Sequence, residues 1–343
     1  MEALKKERIA LEVIKTLKSK FDDFPEDASD NRNAPFHEAF LQAFKVKIEK
    51  HVTDIPIFVS LASWMHGLNT TLGQSFFENV AHILCDGEKK EFENLMISKE
   101  QQSAISDIVA SLKNKNRYPN LIKENEEIFY KETNASVEIP NFSADVYFEE
   151  DDKLVLIELK TVKPNSDIFK EQKSKFLNAK SALKNQLPLK NVSFYLGFPF
   201  DPLHVKKCGS DKVSFFNYSV DFKKYFDPSE VLLADELWNF LSQEEGTMEE
   251  ILLIINAIAK SDFMEKFSFI KETRNIEVDK MRYRDILSEW FLNRDLRVID
   301  NYDTIKDIAN KRKNIQRILS KSLFSPKNKY KENRIITLLE LLN

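Results

Sequence analysis

In the stretch Asn141 to Asn165, NFSADVYFEEDDKLVLIELKTVKPN, the residues that could do chemistry are Asp145, Glu158 and Lys160. Leu154 to Lys163 is rich in Val, Leu, Ile and Thr and meets no Gly or Pro before Pro164, so it reads as a buried strand. Side chains alternate across a strand, which puts Leu154, Leu156, Glu158 and Lys160 on one face and Val155, Ile157, Leu159 and Thr161 on the other. Asp145 opens a short strand, Asp145 to Phe148, that runs into the acidic turn Glu149-Glu150-Asp151-Asp152. A hairpin through that turn returns Glu158 and Lys160 to the neighbourhood of Asp145. Two carboxylates buried together are costly unless a cation neutralises them, so the pair with its neighbouring Lys points to a divalent-metal site. Hard oxygen donors favour Mg2+ over Zn2+. A surface ion pair on an edge strand is the other reading of the same residues. The apolar strand beneath them argues against it.

The elements around this stretch must hold it in place. Leu72 to Leu84, LGQSFFENVAHIL, has helical spacing, with Phe76, Val80, Ile83 and Leu84 on one side and Glu78 among apolar neighbours. Pro164-Asn165-Ser166-Asp167 starts a helix. Phe169, Phe176 and Leu183 share one side of it, and Lys170, Lys173, Lys175 and Lys180 are expected mainly on the outer sides. Gln172 lies near the start of that helix, placed either to reach substrate or water at the metal or to face solvent. Val192 to Leu196 reads as the next buried strand, and Val213 to Phe216 as another short one. Gly67 to Ser75, GLNTTLGQS, imitates a phosphate-binding loop, but five residues separate its glycines and Gln74 stands where Lys is needed, so no nucleotide site is expected.

Asp145, a hairpin and then Glu158-Leu159-Lys160 resemble the PD-(D/E)xK nuclease superfamily. The Pro of that motif is missing, since Ala144 precedes Asp145 and Pro140 lies too far upstream. Glu78 resembles the additional acid that a helix before the core supplies in many of these nucleases. A boundary Glu paired with a Lys is the equal alternative. The Leu72 to Leu84 helix, the run Ile157 to Asn165 and the Lys/Gln-rich helix that follows are together similar to the TdeIII family of type II restriction endonucleases. That resemblance implies an α/β fold, a restriction-endonuclease-like mixed β-sheet core flanked by helices at residues 72–227. Helical regions at 1–71 and 228–343 are expected on either side, the latter for DNA recognition or dimerisation.

The resemblance further implies Mg2+-dependent hydrolysis of double-stranded DNA at a short palindrome of the GGNCC kind, by a homodimer, leaving 5′-phosphate ends. Asp145, Glu158 and the backbone carbonyl of Leu159 are the implied Mg2+ ligands, and Lys160 orients or helps deprotonate the attacking water. Glu78 and Gln172 are secondary candidates for the catalytic set. A DNA methyltransferase is the expected functional counterpart, not a bound partner. Two alternatives stay open: a structure-specific repair or recombination nuclease, and a catalytically inactive DNA-binding protein on the same fold.

Composition narrows the class. The chain has 343 residues, 27 Phe, only six Gly and a net charge of −4, which suits a mixed α/β protein with long helices and carries no global signature of nucleic-acid binding. Local charge says more: residues 301–343 carry ten Lys/Arg against four Asp/Glu, and residues 151–190 nine Lys against five acids. Such a basic surface suits a grip on phosphates, and equally a solvated helical tail. Residues 1–115 read as almost wholly helical. Helices resume after Pro228 at Ser229 to Glu244, Met248 to Met264, Tyr283 to Asn293, Asn314 to Phe324 and Arg334 to Leu342. Between these helices Arg274, Lys280, Arg282, Arg284, Arg294 and Arg297 form a basic cluster and, with Lys163 and Lys173, the candidate DNA-binding residues. Each Arg taken singly is better read as a phosphate or salt-bridge residue than as a reader of bases. Cys85 and Cys208 lack metal-ligand spacing and are expected reduced. No apolar stretch approaches membrane length, and the expected location is the cytoplasm.

Overall fold

The computed structural model of the chain describes residues 1–25, 41, 44–48, 50, 55–129, 134–161, 166–204, 206, 208–218 and 220–342. Its contacts form two compact units, residues 77–250 and residues 1–76 with 251–343. The expected N-terminal region and all but residues 228–250 of the expected C-terminal region thus fall in one unit.

The 77–250 unit is built on a five-stranded sheet in the order β1-β4-β5-β6-β7. Its strands are β1 (Glu88–Phe92), β4 (Phe142–Glu150), β5 (Lys153–Leu159), β6 (Asn191–Phe198) and β7 (Val231–Leu233). A two-stranded ribbon pairs β2 (Met96–Ile97) with β3 (Val137–Glu138). β1, β4 and β5 run antiparallel to their neighbours, whereas β5, β6 and β7 are parallel, so the sheet is mixed. β5 is exposed at Lys153 and buried at every residue after it, as a strand covered on both faces must be.

Helices supply the two covers. With α1 (Ala3–Asp22), α2 (Ile55–Thr71), α3 (Phe77–Cys85), α4 (Lys99–Lys113), α5 (Leu121–Ile128) and α6 (Ser166–Gln186) counted in chain order, α6 lies over the face that carries Leu156 and Glu158. There the Phe176 and Phe194 rings stack with centroids 3.9 Å apart. Beyond α7 (Lys212–Tyr218) and α8 (Val220–Tyr225), α9 (Asp235–Ser242) packs on the opposite face at Gly197. A Cβ at Gly197 would come within 2.9 Å of Ile157 Cγ2 and Leu159 Cδ2, so only glycine lets β5, β6 and α9 approach this closely.

Several sequence expectations are corrected here. Val213 to Phe216 is helical, within α7; a short apolar run does not distinguish a strand from a helix segment. The last strand is instead β7, inside the stretch expected to be the Ser229 to Glu244 helix. Strands β1 and β2 interrupt the supposedly helical first 115 residues. β1, Glu-Lys-Lys-Glu-Phe, is a charged edge strand, and charge is how exposed edges avoid pairing with other chains.

The lysines of α6 do not all stay outside. Lys173 is wholly buried, 2.5 Å from Glu124 and 2.7 Å from Glu230. Lys180, equally buried, donates to Asn125 Oδ1 at 2.9 Å and lies 3.8 Å from Glu230. This cluster ties α6 to α5 and to the turn before β7. Lys173 therefore cannot serve a DNA phosphate as expected.

The remaining helices, α10 (Thr247–Ile258), α11 (Phe263–Lys271), α12 (Lys280–Glu289), α13 (Asn293–Asp300), α14 (Tyr302–Lys311), α15 (Lys313–Leu319) and α16 (Glu332–Glu340), complete the chain. In the helical unit Val298, Ile305, Ile315, Ile335 and Leu338 pack as one core cluster. Phe21 of α1 stacks on Phe263 of α11 at 5.5 Å, joining the first helix to the helices after residue 250.

Lys173→Met would leave Glu124 and Glu230 facing each other without their shared cation. A loss of about 3–5 kcal/mol in urea unfolding is expected, partly recovered by adding Glu124→Gln. Burial pushes Lys180 down to about 8 from an ordinary 10.5. Between these values the unfolded chain holds a proton that the folded chain has lost, so Lys180 makes stability rise with pH across this window. Comparing wild type with Lys180→Met at about pH 7.5 and about pH 9.5 should show that rise only in the wild type.

Candidate active site

Asp145 and Glu158 come together because β4 and β5 form the expected hairpin. Val146 faces Ile157 across the pair, and Asp145 and Glu158 are the next residues along. The β4 backbone is irregular here: Glu88 of β1 faces Tyr147 and Lys90 faces Ala144, two steps on β1 against three on β4. The extra residue falls at Asp145-Val146, a bulge of the kind that re-aims a side chain. Asp145 Oδ2 accepts the backbone N–H of Leu159 at 2.9 Å, and His82 Nε2 donates to the Asp145 carbonyl at 2.7 Å. These two bonds fix Asp145 from β5 on one side and from α3 on the other.

Positive charge surrounds the pair. Lys160 Nζ lies 2.7 Å from Glu158 Oε1, and Lys175 Nζ of α6 lies 2.6 Å from Glu158 Oε2. Lys89 Nζ of β1 sits 3.6 Å from Asp145 Oδ1 and 3.3 Å from Glu78 Oε2. Lys160 is itself tethered, since its backbone N–H donates to Gly197 O at 2.9 Å on β6. The result is three carboxylates and three ammonium groups at one end of the sheet.

The electrostatics follow from this arrangement. Burial, then the charge of Glu158, pushes the Asp145 carboxyl above its ordinary range. Burial alone would do the same to Glu158, but Lys175 and Lys160 together hold it below. Glu78 is raised by burial and by Asp145.

The residues fit a small hard cation better than a closed cage. Among the described residues there is no group of three or more His, Cys, Asp and Glu placed to hold a metal. Two carboxylates are what Mg2+ takes from a protein when waters and a substrate phosphate complete its shell.

A family description for type II restriction endonuclease HinfI matches residues 2–259. The chain belongs to the HinfI family of type II restriction endonucleases. It is also 44% identical to the type II restriction enzyme MjaII of Methanocaldococcus jannaschii, over 98% of this chain and 96% of that one. The motifs that resembled the TdeIII family thus sit in a HinfI-family chain, and type II restriction endonuclease is the level on which the two agree.

The structure brings Asp145, Glu158 and Lys160 together, and Glu78, the acid that the resemblance implied, lies beside them paired with Lys89, as its alternative reading had it. Gln172 lies one turn before Lys175 on α6, and its Oε1 is buried with no hydrogen-bond partner among the described residues. Lys163 falls outside the described residues. Lys175, Lys89 and His82 were not foreseen. Lys175 gave one signal, its place one helical turn after Gln172; a charged edge strand and a lone His gave none.

The basic cluster lies in the helical unit, beyond the stretch that the family description matches. Arg282 pairs with Glu265 and lies 4.4 Å over the Phe269 ring. Arg284 meets Asp300 at 2.7 Å and Lys280 meets Asp303 at 3.0 Å. These exposed pairs contribute little to stability. Arg274 is exposed just before a short helix, and Arg297 lies on α13. Arg294 differs: it holds Glu7, which is 1% exposed, at 2.8 Å and also pairs with Glu332. Arg294→Ala would strand a buried carboxylate, so a loss of about 3–5 kcal/mol in unfolding is expected, measured without DNA. Arg284→Ala should change that stability by less than about 1 kcal/mol.

Proposed function

We propose that the chain hydrolyses phosphodiester bonds in double-stranded DNA at a short palindrome, using Asp145, Glu158 and Lys160 as a PD-(D/E)xK site. The observation that carries this reading is the Asp145–Glu158 pair on adjacent strands with Lys160 bound to Glu158 at 2.7 Å, in a chain of the HinfI family. A GGNCC-like sequence is the site that the TdeIII resemblance implies. A homodimer would match the two-fold symmetry of a palindrome. Cytoplasmic location and a cognate methyltransferase acting on the same site belong to the same reading.

Asp145, Glu158 and the Leu159 carbonyl would hold Mg2+. When bound, Mg2+ supplies Lewis-acid stabilisation of the phosphate charge and makes a water acidic enough to attack at neutral pH. The chain's own groups do the rest. The Leu159 N–H and His82 hold Asp145 in place. Lys160 Nζ turns from Glu158 toward the attacking water, orients it and stabilises the charge that develops on phosphorus oxygens. As the water oxygen bonds to phosphorus it gives up a proton to solvent, the bond from phosphorus to the 3′ oxygen breaks, and that oxygen takes up a proton from solvent water. The products are a 5′-phosphate and a 3′-hydroxyl. Glu78, linked to Asp145 through Lys89, positions water at the edge of the site.

The test is digestion of unmethylated linear phage DNA with Mg2+, beside lanes with EDTA and with Lys160→Ala, followed by sequencing of fragment ends. Discrete fragments whose ends share a palindrome are expected, none with EDTA, and a loss of about 100-fold or more with Lys160→Ala while DNA binding persists. A fully active Lys160→Ala enzyme would remove Lys160 from the mechanism.

A further inference from the structure

Glu158 is held by two lysines that are anchored differently. Lys160 reaches Oε1 from the end of β5. Lys175 reaches Oε2 at 2.6 Å from the covering helix, and also donates to the carbonyl of Ser143 at 2.6 Å. Its ammonium lies 5.9 Å from the Phe142 ring centroid and 5.6 Å from that of Phe194. Ser143 is two residues before Asp145 on β4. Lys175 therefore ties the strand that carries one acid to the carboxylate of the other, in a half-buried position that aromatic rings restrict.

We infer that Lys175 is a positioning residue of the active site, clamping Glu158 Oε2 against β4 so that the carboxylate keeps one orientation toward Asp145 and the divalent cation. The inference rests on the proposed role of Asp145 and Glu158 as metal ligands. Two consequences oppose each other. The fixed ammonium repels an incoming cation, so its removal tightens metal binding. The same removal frees Glu158 to turn, so the metal is held in the wrong place and turnover falls. A residue that merely supported the fold would weaken both together.

The experiment titrates Mg2+ into the DNA-free protein by calorimetry and separately measures kcat and KM for cleavage. It compares wild type with Lys175→Met, Lys175→Arg and Glu158→Gln, each first checked for an unchanged urea midpoint. Lys175→Met is expected to bind Mg2+ about threefold to tenfold more tightly. Its kcat should fall about 10- to 100-fold, with KM for DNA within about twofold of wild type. Lys175→Arg, which keeps the charge and the reach, should recover most of both. Weaker or unchanged Mg2+ binding in Lys175→Met, or an unchanged kcat, overturns the inference. If Lys175→Met does not fold, Lys175→Arg decides, because wild-type behaviour supports the clamp and loss of metal binding overturns it. Glu158→Gln separates the two levels: wild-type metal binding in that variant defeats the metal-pair reading itself, whereas its loss beside a wild-type-like Lys175→Met defeats the clamp alone.

Discussion

Two largely buried carboxylates side by side at the end of a sheet cannot stand alone, and the site is built around that constraint. Like charges at this spacing raise the cost of ionising both. The sheet geometry, in which Val146 faces Ile157, Asp145 precedes Val146 and Glu158 follows Ile157, enforces the proximity. Every neighbouring element then contributes a compensating group: β1 supplies Lys89, the end of β5 Lys160, α6 Lys175, and the Leu159 peptide its N–H. Burial and then the charge of Glu158 raise the Asp145 carboxyl, whereas the two ammonium groups that meet Glu158 overcome its burial and hold it below its ordinary range.

The part of this arrangement that could be read from sequence is the part that depends on local pattern. β5 announces itself through an unbroken apolar run, and strand alternation then places Glu158 and Lys160 on one face. The acidic turn predicts the hairpin, and helical spacing around Glu78 predicts α3. What could not be read depends on partners distant in sequence. Lys173 and Lys180 look like solvated helix lysines until Glu124 and Glu230 arrive from other segments to bury them. β1 has four charged residues in five and no apolar alternation, so its edge position and its Lys89 are decided by β4 alone. β7 is three residues long and sits between a capped turn and a helix, where helical spacing dominates any short window.

The basic cluster is a similar case at larger scale. A run of arginines in a sequence suggests phosphate contact, but charge in the helical unit is largely paired within it, as Arg282, Arg284 and Arg294 demonstrate. Burial separates them by consequence. An arginine whose acid partner is exposed can change partners at little cost, whereas Arg294 holds the buried Glu7 and so joins α1 to α13. Removing such an exposed arginine leaves the unit folded, whereas removing Arg294 does not leave its buried partner satisfied.

Helix α6 carries both kinds of lysine, and comparing them shows how one element serves structure and chemistry together. Lys173 and Lys180 point into a sealed cluster where each charge has fixed partners and no solvent enters. Lys175 lies between them in sequence, turned toward the open end of the sheet with 19% of its side chain exposed. The 100° step of a helix puts Lys173 and Lys175 about 200° apart around its axis, so one cannot follow the other into the core. The sealed pair fixes the helix against α5 and the β7 turn, and that rigidity is what allows Lys175 to hold Glu158 at a fixed distance. A site whose acids must be both neutralised and accessible needs a clamp anchored elsewhere, and the buried lysines provide the anchorage.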